Sequence, residues 1–266
     1  MKYNILTATL LLVFNFSFGQ SEKHQYSHQL DELNLRIAQD PQNLSLYYTR
    51  AEVYDLSNDF TNAIRDYQRV VEMYRKEPDE KYLGEYAKSC YHLADDYFFR
   101  NHNREQALKY VKKGLQVTQN FKDLEVMEAI LTGFDTASLD LAKNKYATLS
   151  AKYPDDIRLS FYYAKFLEKI DPLLAAEQYA KIIAADPFNK EALISAATIY
   201  NNEAHKLSTV AVNDTKKVYD LAKKASVYFE KLYKLNPADK EVANVLRMLY
   251  DEMNEQEKAK MMNLPY

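Results

Sequence analysis

Glycine, proline and cysteine are all scarce in this chain. Four glycines and seven prolines among 266 residues leave little material for turns and irregular loops, which favours helices joined by short connections. So few glycines also leave no P-loop and no glycine-rich dinucleotide fingerprint, whose backbones must approach a phosphate closely. The single cysteine, Cys90, excludes an intramolecular disulfide framework and a cysteine-based zinc site. Positive charge is not in excess either. The 35 Lys and Arg face 38 Asp and Glu, for a formal net charge of −3, which excludes a strongly basic nucleic-acid footprint while leaving room for local patches. Beyond the first twenty residues no second long apolar run occurs, so the mature chain is expected not to span a membrane.

Those first residues differ in kind from the rest. Lys2 is a positive start, Ile5 to Phe14 is an almost unbroken apolar run, and Ser17-Phe18-Gly19 puts small residues at −3 and −1. These are the marks of a secretory signal over residues 1–19, cleaved before Gln20, and they predict an exported protein, periplasmic or secreted. No cysteine stands at the cleavage site, which argues against a lipid-anchored form.

Residues 20–39 are expected to hold an N-terminal helix with Leu30, Leu33 and Ile37 at helical spacing, ended by Asp40-Pro41. From Asp40 to Pro78 the chain reads as two amphipathic helices around the polar turn Ser57–Asn58–Asp59. Tyr47, Ala51 and Tyr54 recur on one face of the first, and Ala63, Tyr67 and Val70 on one face of the second. Asn43 or Ser45 is expected to cap the first helix, and a residue between Ser57 and Thr61 the second. Further pairs are expected over 79–120, 123–154, 155–187 and 189–237, giving an array over 40–237. In the fifth pair the stretch KLSTVAVNDTKKV lengthens the spacing between His205 and Tyr219. Long helices joined by an extended loop are expected to absorb it. Residues 238–266 form a C-terminal capping helix and tail, the helix running from Ala238 to about Met262. Its single stripe of Val242, Leu246, Leu249 and Met253 suits the end of a stacked array.

The second helices align. Ala142, Tyr146, Leu149 and Pro154 share their spacing with Ala175, Tyr179, Ile182 and Pro187, and with Ala225, Phe229, Leu232 and Pro237. Ala107, Val111 and Gly114 fit without a proline. A small residue lets two helices approach, an aromatic fills the gap one turn later, and proline stops the helix. This pattern resembles the tetratricopeptide repeat, a helix–turn–helix unit of about 34 residues. Tyr47 and Tyr91 stand where that family usually has tryptophan, Ala51 and Ala197 at its small position, and Tyr54, Phe98 and Tyr200 at its aromatic one. The third pair, whose first helix is LEVMEAILTGF, departs most. The resemblance implies an all-α fold: a right-handed solenoid of about five helical hairpins between an N-terminal helix and a C-terminal capping helix. The run YNNEAHKL, an insertion and then LNPADKEV is similar to secreted tetratricopeptide proteins of Bacteroidetes, which implies the periplasm.

Chemistry-bearing constellations are few. Cys90 and His92 have the residue types of a nucleophile and a base, but residues two apart on a helix do not face each other, so Cys90 reads as a packed thiol. His24 and His28 lie four apart, as two metal ligands on one helix face would, yet no acidic or cysteine partner stands near them in sequence. They read as a solvated face, and no metal or cofactor is expected.

In the tetratricopeptide family the first helices line a groove whose exposed positions touch ligands. The resemblance places there Tyr48, Glu52 and Asp55 of the first unit, His92, Asp96, Phe99 and Arg100 of the second, and Thr198, Asn201 and Asn202 of the fifth. A family mode that grips a C-terminal carboxylate uses an asparagine where this chain has Glu52 and Asp96, and two carboxylates repel that ligand. A basic or polar peptide fits better; solvated helix faces, with binding elsewhere, are the other reading. The expected function is thus a non-enzymatic scaffold or adaptor of the cell envelope that binds a protein or peptide and no nucleic acid. Two alternatives stand beside it. One is a structural subunit of an envelope assembly packing through the convex face or the 205–219 insertion. The other is a hydrolase or metal-dependent enzyme around Cys90–His92 or in the His205–Tyr219 insertion.

Overall fold

The computed structural model describes residues 26–210 and 214–262. The expected signal segment, its cleavage site and His24 lie outside the described residues. Helices account for all the regular structure among the described residues, and the chain divides into two compact units, Met1–Leu131 and Thr132–Tyr266.

In the first unit, α1 (26–39) is followed by α2 (Leu44–Leu56), α3 (Phe60–Lys76), α4 (Leu83–Asp95), α5 (Arg104–Val117) and α6 (Lys122–Gly133), the last two residues of which fall in the second unit. α2 packs on α3, α3 on α4, and α4 on α5. Ala63, Tyr67 and Val70 are fully buried, and so are Ala107 and Val111, as a small-then-large stripe between paired helices requires. Gly114 continues that stripe: a Cβ there would meet Leu124 Cδ1 at 2.3 Å and Cys90 Cβ at 3.1 Å, so α5 approaches both α4 and α6 more closely than any side chain allows.

The second unit continues with α7 (Leu139–Lys152), α8 (Ile157–Leu167), α9 (Pro172–Ala185), α10 (Lys190–Val210), α11 (Thr215–Leu235), α12 (Lys240–Glu252) and α13 (Gln256–Met261). α8 packs on α9, α9 on α10, α10 on α11, and α11 on α12. One core runs from Ala164 through Tyr179, Ala196, Ala225 and Phe229 to Leu249 and Ala259. Tyr146 and Tyr179 are fully buried; truncating such an aromatic to alanine costs about 3–5 kcal/mol.

Aspartate starts five of the helices. Asp59, Asp156, Asp171, Asp214 and Asp239 accept backbone N–H groups two or three residues ahead, which satisfies donors that the first turn leaves free. Pro172 follows Asp171 at the first helical position, where its missing N–H costs nothing. Asn43 sits at the start of α2 but makes no such bond; its amide donates to Asp40 instead, so neither it nor Ser45, already inside the helix, is the cap expected of them. With glycine scarce, asparagine takes the left-handed backbone positions. Asn58, Asn120 and Asn254 have φ of 61°, 64° and 59°, joined by His102 at 51°.

Asn254 also corrects the C-terminus. The single helix expected from Ala238 to Met262 is two helices, α12 and α13, because the chain turns left-handed between them. The insertion differs from expectation as well. α10 and α11 each run for 21 residues and take up nearly all of it, leaving only residues 211–214 to connect them rather than an extended loop.

Candidate functional site

α2 is covered on two sides, and this decides which of its residues are reachable. Leu46 and Val53 pack with Leu33 of α1 in a small core, while Leu44, Tyr48 and Ala51 are buried on another side. Tyr48 is therefore only 7% exposed, more buried than Tyr47, and is not the groove-surface residue expected. Tyr47 and Tyr54 are half-buried, with the Arg50 guanidinium 5.5 Å and 5.9 Å from their ring centres.

Between α1 and α2 lies a cleft of about 600 Å³. One wall is the stripe Gln29, Glu32, Leu33 and Arg36 of α1, and the facing wall is the stripe Thr49, Glu52, Val53 and Leu56 of α2, each at i, i+3, i+4 and i+7 on its helix. Asp55, Tyr67 and His92 complete the lining. The lining thus holds three carboxylates, Glu32, Glu52 and Asp55, and one guanidinium, Arg36, beside the apolar Leu33, Val53 and Leu56.

The polar groups of the cleft are held by one another. Tyr67, fully buried on α3, donates its hydroxyl to Asp55 Oδ2 at 2.9 Å. His92 of α4 stacks on the Tyr67 ring at 4.7 Å between centres and 2° between planes, and its Nδ1 lies 3.7 Å from the same Asp55 oxygen. No described group donates to Asp55 Oδ1. Tyr48 donates to Glu52 Oε1 at 2.8 Å and sits 6.0 Å from the Tyr67 ring. Burial raises both phenols well above their ordinary range, with Glu52 next in effect for Tyr48 and Asp55 for Tyr67, so both stay donors. Burial pushes His92 below the usual histidine value, and Asp55, Asp95, Glu52 and Asp123 oppose that shift. Behind the cleft, Arg50 clasps Asp66 of α3 through two bonds, Nε to Oδ2 at 2.6 Å and Nη2 to Oδ1 at 2.7 Å.

Three of the ten residues expected in a groove, Glu52, Asp55 and His92, therefore meet in one cleft. Others do not. Asp96 is 1% exposed, on the same flank as buried Ser89 of α4 seven residues earlier, and it pairs with Arg100. It is not the surface carboxylate expected. The five residues Asp96–Arg100 wind as a π-turn closed by the Asn101 N–H on the Asp96 carbonyl. This turn presents Phe99 and Arg100 at the surface, Arg100 lying over the Phe60 ring at 3.7 Å. Thr198 and Asn202 are exposed and Asn201 half-buried on α10; none of these lines the cleft. Gln29, Glu32, Arg36 and Tyr67 were missed. The α1 stripe carried a signal, since Leu30, Leu33 and Ile37 already fix that helix's inner face and hence its flanks. Tyr67 carried none, because its ring is core and only its hydroxyl reaches the cleft.

Cys90 is fully buried, and burial pushes its thiol up to about 12. It therefore stays protonated, which deprives a nucleophilic role of its thiolate.

No family model matches the chain, and no curated protein does. Its fold is similar to that of solved structures. One is PilW, a widely conserved type IV pilus biogenesis factor, at 16% identity over 89% of this chain and 96% of that one, with a TM-score of 0.60. A tetratricopeptide repeat protein from Parabacteroides merdae matches at 15% identity over 83% of this chain and 77% of its own, TM-score 0.52. YrrB, a tetratricopeptide protein with an unusual peptide-binding site, matches at 17% identity over 84% and 97%, TM-score 0.52. The chain has the tetratricopeptide-type fold, an all-α array of helical hairpins.

Proposed function

We propose that the chain is a non-enzymatic interaction scaffold of the cell envelope, and that its N-terminal cleft takes a partner segment bearing a lysine or arginine flanked by apolar side chains. The observation that carries this reading is the convergence of Glu32, Glu52 and Asp55 above Leu33, Val53 and Leu56. A cation enters such a site favourably because the carboxylates are already gathered in one lining. The apolar floor supplies the area that holds the flanking residues. Tyr67, Tyr48 and Arg50 fix the acidic groups or the helix carrying them, so little order is lost on binding. The fold shared with YrrB, a tetratricopeptide protein with an unusual peptide-binding site, and with PilW, a type IV pilus biogenesis factor, agrees with a scaffold, and the apolar leader supports an envelope location.

Calorimetric titration of the protein with a short Leu-Lys-Leu peptide and with its Leu-Glu-Leu counterpart tests the proposal. The lysine peptide is expected to bind at least about tenfold more tightly, a difference of about 1.4 kcal/mol, and Glu32→Lys with Glu52→Gln is expected to abolish the preference. Equal binding of the two peptides, or a preference that survives those changes, overturns the cleft as the site.

A further inference from the structure

The second unit carries an unrelated surface on α11. This helix holds six lysines, Lys216, Lys217, Lys223, Lys224, Lys231 and Lys234, against two acids, Asp220 and Glu230, and no arginine. At 100° per residue all six fall within about a third of the helix circumference, with Asp220 among them and Glu230 at the edge, opposite Leu221, Ala225, Phe229 and Leu232, which are buried. None of the six lies within ion-pair distance of a carboxylate among the described residues, whereas Lys165, Lys206, Lys258 and Lys260 of the same unit each do. Three of them lie over aromatic rings: Lys223 over Tyr219, Lys224 over Tyr200 and Lys231 over Tyr228, at 5.8, 5.2 and 5.8 Å.

The concentration is not a chance of composition in a chain of net charge −3. The second helices of the pairs, α3, α5, α7, α9 and α11, hold eighteen Lys and Arg against seven Asp and Glu. The first helices, α2, α4, α6, α8 and α10, hold seven against nine. Positive charge is sorted onto one class of helix, and α11 carries the largest number of these cations.

We propose that this lysine face docks on an anionic phospholipid surface. The charges are spread along about 27 Å of helix instead of converging, so they match a plane of distributed negative charge and not a single phosphate group. Lysine is a point charge without the planar fork that reads one phosphate or a base edge. Val227 and Leu235 are exposed on the same face, with Tyr219 at its edge, and such groups settle into the headgroup region beside lysines that reach the phosphates.

Co-sedimentation of the full chain with phosphatidylcholine vesicles and with phosphatidylcholine–phosphatidylglycerol vesicles is the test. Binding is expected to the second only, and to fade as salt screens the charges. Each lysine near the surface contributes about a fivefold gain in binding. Reversal of three, K216E, K223E and K234E, is therefore expected to weaken binding by about a hundredfold or more, without change in thermal unfolding. The equal charge change K169E, K181E and K190E, at exposed sites off α11, is expected to leave most of it. Four results overturn the proposal: no vesicle binding, binding that the α11 variant keeps, equal loss in both variants, or capture of RNA or an acidic polypeptide with none of the vesicles.

Discussion

The two units keep their charge in different places. In the first, Asp66 and Asp96 are buried and Asp55 lies at the back of a cleft, each answered by a specific partner: Arg50, Arg100, and Tyr67 with His92. In the second, the buried polar groups among the described residues are Ser160, Gln178 and Ser226, none of them charged. Its core is alanine-rich, with Ala192, Ala196, Ala197, Ala222 and Ala225 all in one cluster, and most of its charge stays outside, as ion pairs at the surface and as the lysines of α11, with single atoms of Arg158, Arg247 and Glu255 covered. Burying a carboxylate is costly unless its partners are fixed. The first unit therefore holds its shape through a few directional bonds around a site, and the second through area and fit.

Removing one charged partner in each unit is the strongest way to break this comparison. Arg50→Ala strips Asp66 of both its charged bonds, and is expected to destabilise the first unit by about 3 kcal/mol in urea unfolding. Lys165→Ala, which removes the exposed contacts to Glu168 and Glu191 at 3.3 Å, is expected to change stability by less than about 0.5 kcal/mol. Equal losses would erase the distinction between the units.

Tyr67→Phe sharpens it further. The ring remains and only the bond to Asp55 goes, so the expected cost is about 1–2 kcal/mol, with weaker binding of the lysine peptide as Asp55 loses its orientation. A loss of stability with unchanged binding would show that Asp55 takes no part in the cleft.

The smallest effect is one of pH. The folded state binds the His92 proton less readily than the unfolded chain does, so stability rises with pH through the histidine range and is lost as pH falls through about 6.5 towards the depressed folded value. The expected measurement is a fall in first-unit stability between about pH 7 and pH 5 that His92→Gln flattens. An unaltered slope in that variant would assign the titration elsewhere.

Much of the fold was legible because its rules are local. The triads Ala63–Tyr67–Val70, Ala175–Tyr179–Ile182 and Ala225–Phe229–Leu232 repeat a spacing, and each is buried as that spacing requires. The site was less legible because reachability depends on what covers a helix from outside its own hairpin. Tyr47 and Tyr48 differ by one position, and only the packing of α2 against helices on two sides, α1 among them, decides which is core. Asp96 looked like a surface carboxylate because nothing in its neighbourhood announces a π-turn. The length of α10 and α11, and the asparagine that divides α12 from α13, likewise express choices between helix and turn that composition alone left even.

The central claim is that a basic segment binds the α1–α2 cleft of the first unit. A photoreactive side chain placed at Leu56, 63% exposed and in the cleft wall, can be compared with one placed at Met248, 57% exposed on α12. With the lysine peptide present, crosslinking is expected at position 56, to be lost in the Glu32→Lys, Glu52→Gln background, and to stay at background level at position 248. Equal crosslinking at the two positions, or crosslinking at 248 alone, would contradict it.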